Sequence, residues 1–387
     1  MLSNLAHRAL ERDGLGAIRD RVLAGERLTE DEALALYEAK DLAALGALAN
    51  HVREARHGDL TFYNRNVHLN PTNVCVASCK FCSFARPDDK HASEGYTMSL
   101  DQAVEHVVSK RALGITEVHI VSGLHPDLPW DYYLETIRRI RQAWPELHIK
   151  GYTAVELHFF AEKFGKTYEQ VLRELIGAGL TTIPGGGAEI FASRVRRKIC
   201  DDKATADQWL EVHRTAHRLG LKSNATMLYG HIESLAERVD HMARLRALQD
   251  ETGGFQVFIP LAFHPEHNMI GKAFPKPTGY DGLRTYAVSR LFLDNFDHIK
   301  AYWISLGERL AQSSLSFGVD DVDGTVLEER IYHMAGATTP QALSEAQLHR
   351  MIRFAGRVPA ERDSLYHLLR VHAQPAPPDA APVPATA

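Results

Sequence analysis

The chain has 387 residues, of which 45% are hydrophobic and 24% charged, and its net charge is −5. These are the proportions of an ordinary globular protein of one large or two smaller domains; they exclude a disordered chain and give no basic field for nucleic acid. No apolar run approaches the roughly 18–20 residues needed to span a bilayer, and residues 1–8 lack the apolar core of a secretory signal, so a cytoplasmic protein without membrane or nucleic-acid partners is expected.

Residues 1–66 read as a helical extension. Thr29 is a plausible N-cap, and Glu32 three residues on completes a capping box. A second short helix covers residues 41–50, and Thr61-Phe-Tyr-Asn64 leads into the first strand.

The next stretch is the most informative. It reads His68-Leu-Asn-Pro-Thr-Asn-Val-Cys75-Val-Ala-Ser-Cys79-Lys-Phe-Cys82-Ser-Phe, a C-x3-C-x2-C spacing. Thiolate ligands select zinc, copper(I) or iron–sulfur. A structural zinc site wants four protein ligands, as does an ordinary ferredoxin cluster. Here Cys75, Cys79 and Cys82 stand together, and Cys200 is the only other cysteine. The economical reading is a [4Fe–4S] cluster with one iron left open. Three buried hydrophobic cysteines, or zinc completed by Cys200 or a histidine, are the alternatives.

From residue 67 to about 330 the chain alternates. Apolar, β-rich runs occur at 117–122, 148–153, 180–184, 222–229 and 255–262. Between them, Asp131–Trp144 carries Tyr133, Ile137, Ile140 and Trp144 on one helical face. Residues 167–179, 205–220, 234–252 and 281–295 continue the helical pattern. Such repetition predicts an α/β fold with a parallel sheet, as a TIM-type (βα) barrel, complete or partial; a doubly wound open sheet is the alternative. In a barrel the site lies past the C-terminal strand ends. There the sequence places Ser122-Gly123-Leu-His125, Thr153 to Glu156, Gly185-Gly186-Gly187-Ala-Glu189, Gly230-His231 and His264-Pro-Glu. The glycine run lets backbone approach a ligand closely, and is also simply a tight turn. Residues 301–305 suggest a further strand, and 307–317 and 344–355 read as helices. The expected organisation is 1–66 helical, 67–330 barrel, 331–370 C-terminal helices and 371–387 a disordered Pro/Ala-rich tail.

The cysteine motif is similar to that of the radical S-adenosylmethionine (SAM) enzymes. In that superfamily the open iron chelates SAM, and one-electron reduction splits SAM into methionine and a 5′-deoxyadenosyl radical. Nearly the whole chain up to about 366 also resembles the aminofutalosine synthase family of the futalosine route to menaquinone. The residues carrying this include His68-Leu-Asn-Pro-Thr-Asn-Val-Cys75, Gly123-Leu-His-Pro126, Gly185-Gly-Gly-Ala-Glu-Ile-Phe191, Asn224-Ala-Thr-Met-Leu-Tyr-Gly-His231, Phe258-Ile-Pro-Leu-Ala-Phe-His-Pro265 and Asp320-Asp-Val-Asp-Gly-Thr325. A cyclase acting later on that route, dehypoxanthine futalosine cyclase, shares the cluster motif and the glycine run; Asn70-Pro-Thr-Asn and Asp323-Gly-Thr lean toward the synthase. A non-catalytic metal-binding barrel is the remaining alternative.

The resemblance implies addition of the adenosyl radical to the enol ether 3-[(1-carboxyvinyl)oxy]benzoate, with rearrangement and decarboxylation to 6-amino-6-deoxyfutalosine. SAM is then a consumed cosubstrate, and an external one-electron reductant of flavodoxin or ferredoxin type is implied; a homodimer is an option. Phe81 occupies the family's aromatic position beside the adenine. Many relatives carry Gly-Gly-Glu where this chain has Ser122-Gly123-Leu124, so Ser122 or backbone must serve there. Gly185 and Gly186 are expected along the cofactor, and Glu189 at the ribose hydroxyls. The two substrate carboxylates need cationic or N–H partners, for which Arg86, His125, His231 and His264 are the candidates. His125 or His231 is the candidate acid or base.

Overall fold

The structure, a computed structural model, describes residues 2–88 and 93–373. The tail expected to be disordered lies, from residue 374 on, outside the described residues. Strand β1 (Leu60–Asn64) opens the β structure. Seven strands then form one sheet in sequence order: β2 (Asn66–Leu69), β3 (Glu117–Ile120), β4 (His148–Gly151), β5 (Thr182–Ile183), β6 (Lys222–Tyr229), β7 (Phe255–Ala262) and β8 (His298–Ile299). Every neighbouring pair is parallel, which requires the helical crossovers read from the sequence. Those helices form where expected: Trp130–Ala143, Tyr168–Ala178, Ala206–Arg218, Leu235–Thr252 and Gly279–Phe292. Thr29 and Glu32 make the anticipated capping box, and Ser344 and Gln347 make another at the start of Glu345–Phe354.

The sheet is a partial TIM-type barrel whose open edges are β2 and β8. The seam between them is filled by β9 (Asp321–Gly324) and the residues that follow. Ala301 N donates to Asp321 O at 2.8 Å, Leu327 N to Asn66 O at 3.1 Å, and His68 N to Leu327 O at 2.9 Å. Residues 301–305, expected to be a strand, are not one. The chain leaves the sheet after β8, and Trp303–Leu306 forms a helical turn that buries the Trp303 indole, whose N–H donates to Gly324 O at 2.9 Å.

β9 also belongs to a second sheet of order β11-β10-β1-β9, with β10 (Val358–Arg362) and β11 (Leu368–Val371) forming an antiparallel hairpin. The C-terminal segment read as helical thus contains the helices Ile331–Met334 and Glu345–Phe354, then two strands. Buried ion pairs tie this layer to the barrel: Arg362 Nε lies 2.6 Å from Asp321, and Arg290 pairs with Asp320. Among the described residues no helix is long and apolar enough to cross a membrane.

Candidate functional site

The loop after β2 carries the three cysteines to the C-terminal mouth of the barrel. Backbone bonds hold it there: Cys75 N to Arg86 O (2.9 Å), Val76 N to Leu124 O (3.0 Å), Lys80 N to Ile199 O (2.8 Å) and Cys82 N to Cys79 O (3.1 Å). Gly123 permits this packing. A Cβ there would stand 2.2 Å from Val74 O, so any side chain would push the cysteine loop away. Cys75, Cys79 and Cys82 are half-buried and line one cavity of about 320 Å³. Cys200 is buried and does not line it. Burial pushes the Cys79 thiol up to about 12, against the opposing pull of Lys203.

Around the thiols the cavity wall is built from Phe81, Ser122, Gly123, Gly185, Gly186 and Glu189. The sequence reading had placed a cofactor against these same residues. Gly185 is needed for packing as well, since a Cβ would lie 2.6 Å from Asn224 O. Glu189, in a left-handed conformation (φ 48°), pairs with Lys203 Nζ at 2.5 Å. The nearby arginines are engaged elsewhere: Arg194 pairs with Glu237, and Arg196 donates to Ala188 O and Ala204 O. The Lys203 ammonium also sits 5.2 Å from the centroid of the Phe81 ring. Below the glycines, Glu156 accepts from Ser122 N at 2.8 Å and from Thr153 N at 2.7 Å, and burial nonetheless raises its carboxyl to about 7.

The floor of the cavity is polar, and the sequence reading missed it. His68, His119 and Lys150 form one rung across β2, β3 and β4, pointing into the lumen. The two imidazole centroids are 4.7 Å apart. Both Nε2 atoms are buried without a hydrogen-bond partner among the described residues. Burial lowers both imidazoles' proton affinity, so both are neutral at pH 7. Lys150 Nζ stands 2.6 Å from Glu117; burial opposes that carboxylate's charge, but the lysine keeps it ionised. From the seam side come Asp323, 3.1 Å from Lys300, and from beyond it Glu329 and Tyr332.

Three sequence-expected site residues point elsewhere. His125 turns onto its own loop, where Nδ1 accepts from Asp127 N (3.0 Å) and Leu128 N (3.3 Å). The His231 ring is buried against Leu228 O (3.0 Å) and Glu233 (3.2 Å). Arg86 braces the cysteine loop, donating to Ser83 O and Ala85 O and pairing with Glu94 at 2.5 Å. None of the three lines the cavity. The cause is local: the two histidines follow strand ends and Arg86 lies in the cysteine loop, and in each place a side chain that satisfies nearby backbone is itself stabilising. His264 does line the cavity; its Nε2 meets Ser305 O at 2.8 Å, and its buried Nδ1 has no hydrogen-bond partner among the described residues.

Comparison with known proteins gives concordant findings. A model of the radical SAM superfamily matches residues 69–245, and one of the CofH/MqnC C-terminal region matches residues 252–374. The chain is 50% identical to the aminodeoxyfutalosine synthase of Thermus thermophilus, over 92% of this chain and 95% of that protein. It is 42% identical to the 5-amino-6-(D-ribitylamino)uracil–L-tyrosine 4-hydroxyphenyl transferase of Methanoculleus marisnigri (92% and 98% covered). Against the cyclic dehypoxanthine futalosine synthase of Streptomyces coelicolor the identity is 38% (95% and 92% covered). The fold is similar to that of the FeFe-hydrogenase maturase HydG from Carboxydothermus hydrogenoformans, with a TM-score of 0.71, 19% identity, and 94% of this chain and 85% of that one covered.

Proposed function

Because the chain belongs to the radical SAM superfamily, we propose that it is an aminodeoxyfutalosine synthase, joining the adenosyl group of SAM to the enol ether 3-[(1-carboxyvinyl)oxy]benzoate with loss of a carboxylate. The observation carrying this reading is a cavity lined by the three thiols and, across it, by the lysine–carboxylate pairs Lys150–Glu117 and Lys300–Asp323 and two imidazoles with unpartnered Nε2 atoms. A substrate with two carboxylates needs cationic or N–H partners of this kind. The 50% identity to a synthase, against 38% to a cyclase, favours this activity over the runner-up.

The residues fit the cofactor that the superfamily implies. Cys75, Cys79 and Cys82 offer three thiolates to one cavity, and Cys200 lies outside it, so a [4Fe–4S] cluster held here keeps one iron for SAM. A cluster held by Cys75, Cys79 and Cys82 would supply the one-electron chemistry that cleaves SAM, with the electron coming from an external flavodoxin- or ferredoxin-type donor.

The protein's own part is binding and exclusion. Phe81, Ser122, Gly123, Gly185, Gly186 and Glu189 hold SAM along the upper wall, with Lys203 fixing Glu189. Lys150, Lys300, His68 and His119 receive the substrate carboxylates, and His264 stands beside them. His264 takes the acid or base role proposed from sequence for His125 and His231, because its ring faces the cavity and theirs do not. The apolar residues Leu228, Ile259, Leu261 and Phe263 line the wall between and keep out water that would quench a radical.

Anaerobic reconstitution followed by electron paramagnetic resonance should give a reduced cluster signal that changes on adding SAM. Incubation with SAM, dithionite and the enol ether should then give 6-amino-6-deoxyfutalosine by mass spectrometry. A protein that binds only zinc, or one that turns over dehypoxanthine futalosine but not the enol ether, overturns the reading.

A further inference from the structure

Far from the thiols, at the edge of the second sheet, three metal-ligating side chains converge. Glu345 and His349 lie one turn apart on helix Glu345–Phe354, and His372 follows directly on β11. His349 Nε2 is 3.7 Å and His372 Nε2 is 3.9 Å from the same oxygen, Glu345 Oε1. All three ligand atoms lie within 4.8 Å of one another. Ligands about 2.0–2.1 Å from a tetrahedral zinc ion stand about 3.4 Å apart, so a small closure brings these atoms onto one ion. Tyr63 Oη, 2.7 Å from His349 Nε2 and 3.0 Å from His372 Nε2, marks the same point from β1.

The charges there are incomplete. Among the described residues Glu345 has no lysine or arginine ion-pair partner, only the two imidazoles. A carboxylate, two imidazoles and a phenol thus converge, with no lysine or arginine paired to the carboxylate among the described residues. The other histidine–carboxylate cluster, His57, His298 and Asp320, differs in this respect, since Arg290 already occupies Asp320. Arg353 and Arg370 stand near His349 without pairing with Glu345, and their charge moderates the affinity for an ion. The position also matters. All four residues of β11 are exposed, and among the described residues its only strand partner is β10.

We propose that Glu345, His349 and His372 form a binding site for one divalent transition-metal ion, Zn2+ being the expected occupant, which clasps the last strand to the helix and to β1. Two imidazoles and a carboxylate are a donor set that suits zinc. The site is separate from the cluster and makes no sulfur contact.

The test uses the reconstituted holoenzyme, with its iron in place. Titration with Zn2+ in a calorimeter should show one saturable site. X-ray absorption at the zinc edge should show nitrogen and oxygen neighbours, including imidazole, and no sulfur. The H349A/H372A variant should bind Zn2+ at least about 10-fold more weakly at unchanged iron content. Zn2+ should also slow proteolysis after β10 several-fold in the wild type and not in the variant. E345Q, a milder change, should weaken zinc similarly and covers the case in which the double variant fails to fold. Absence of a saturable site in the wild type, sulfur in the zinc shell, or equal binding by E345Q overturns the proposal.

Discussion

Lys150→Met gives the sharpest test of the cavity floor. The side chains of Lys150 and Glu117 are 4% and 2% exposed and 2.6 Å apart. At an effective dielectric of about 20 that separation corresponds to about 6 kcal/mol of attraction. Deleting one partner of a buried pair costs about 3–5 kcal/mol, because the other charge stays behind. In the variant only burial and two histidines act on Glu117, and burial raises a carboxyl. Its stabilising contribution is then present at low pH and lost as pH rises through the elevated value. K150M should therefore lose about 3–5 kcal/mol in urea unfolding at pH 8 and clearly less at pH 5. E117L/K150M, which removes both charges, should recover most of the loss. Turnover separates packing from binding. If Lys150 meets a substrate carboxylate, the double variant regains stability while its KM stays raised. A K150M protein within 1 kcal/mol of wild type at pH 8, or a double variant with wild-type KM, would refute the reasoning.

Other outcomes follow from the same geometry. Alanine at Cys75, Cys79 or Cys82 should abolish stable [4Fe–4S] incorporation, measured as iron and sulfide content, whereas C200A should keep both. Gly123→Ala sets a Cβ 2.2 Å from Val74 O, beside the cysteine loop, and should cost about 1–3 kcal/mol with a matching loss of iron retention. Glu156, raised by burial to about 7, contributes stability at low pH that is lost as pH climbs through that value. The wild type should thus lose about 2.5 kcal/mol relative to E156Q between pH 5 and pH 8 in paired denaturant titrations. H264A should lower turnover at least 10-fold at constant iron content, and H125A and H231A should not once their stability loss is allowed for.

Strands β3 to β7 were legible because each lies in a β-rich run closed by glycine or polar turns, and the parallel order follows from the helices between them; β8, only two residues long, was not, and the strand expected at 301–305 is a helical turn instead. The thiol triplet needed only its spacing. The seam was not legible. Asp-Val-Asp-Gly at 321–324 reads as a turn, and its strand conformation depends on two edges, one supplied by Lys300 and one by β1, far away in sequence. β10, Val-Pro-Ala-Glu-Arg, has no apolar alternation to announce it. The histidines beside glycine and proline drew attention because strand ends are where barrel sites form, yet two of the three cap their own turns. The informative signal was quieter. His119 stands between Val118 and Ile120 and Lys150 follows Ile149, and a polar side chain mid-strand in a parallel sheet has to face a polar partner or a ligand.

The strand that plugs the barrel is shared between two layers, and this limits how the chain can be shortened. β9 lies more than 20 residues after β8 and bonds on one side to Lys300 and on the other to β1. A fragment ending after β8 would keep every cysteine but leave two bare sheet margins, at residues 66–69 and 298–299, free to pair with other copies. It would also lack Asp323, so Lys300 would face the lumen unneutralised. Fragments of this kind should precipitate or form ladders of cross-linked multimers, even though the iron-binding half is intact. Exchange of the last 70 or so residues between relatives should instead refashion one wall of the substrate chamber in a single step.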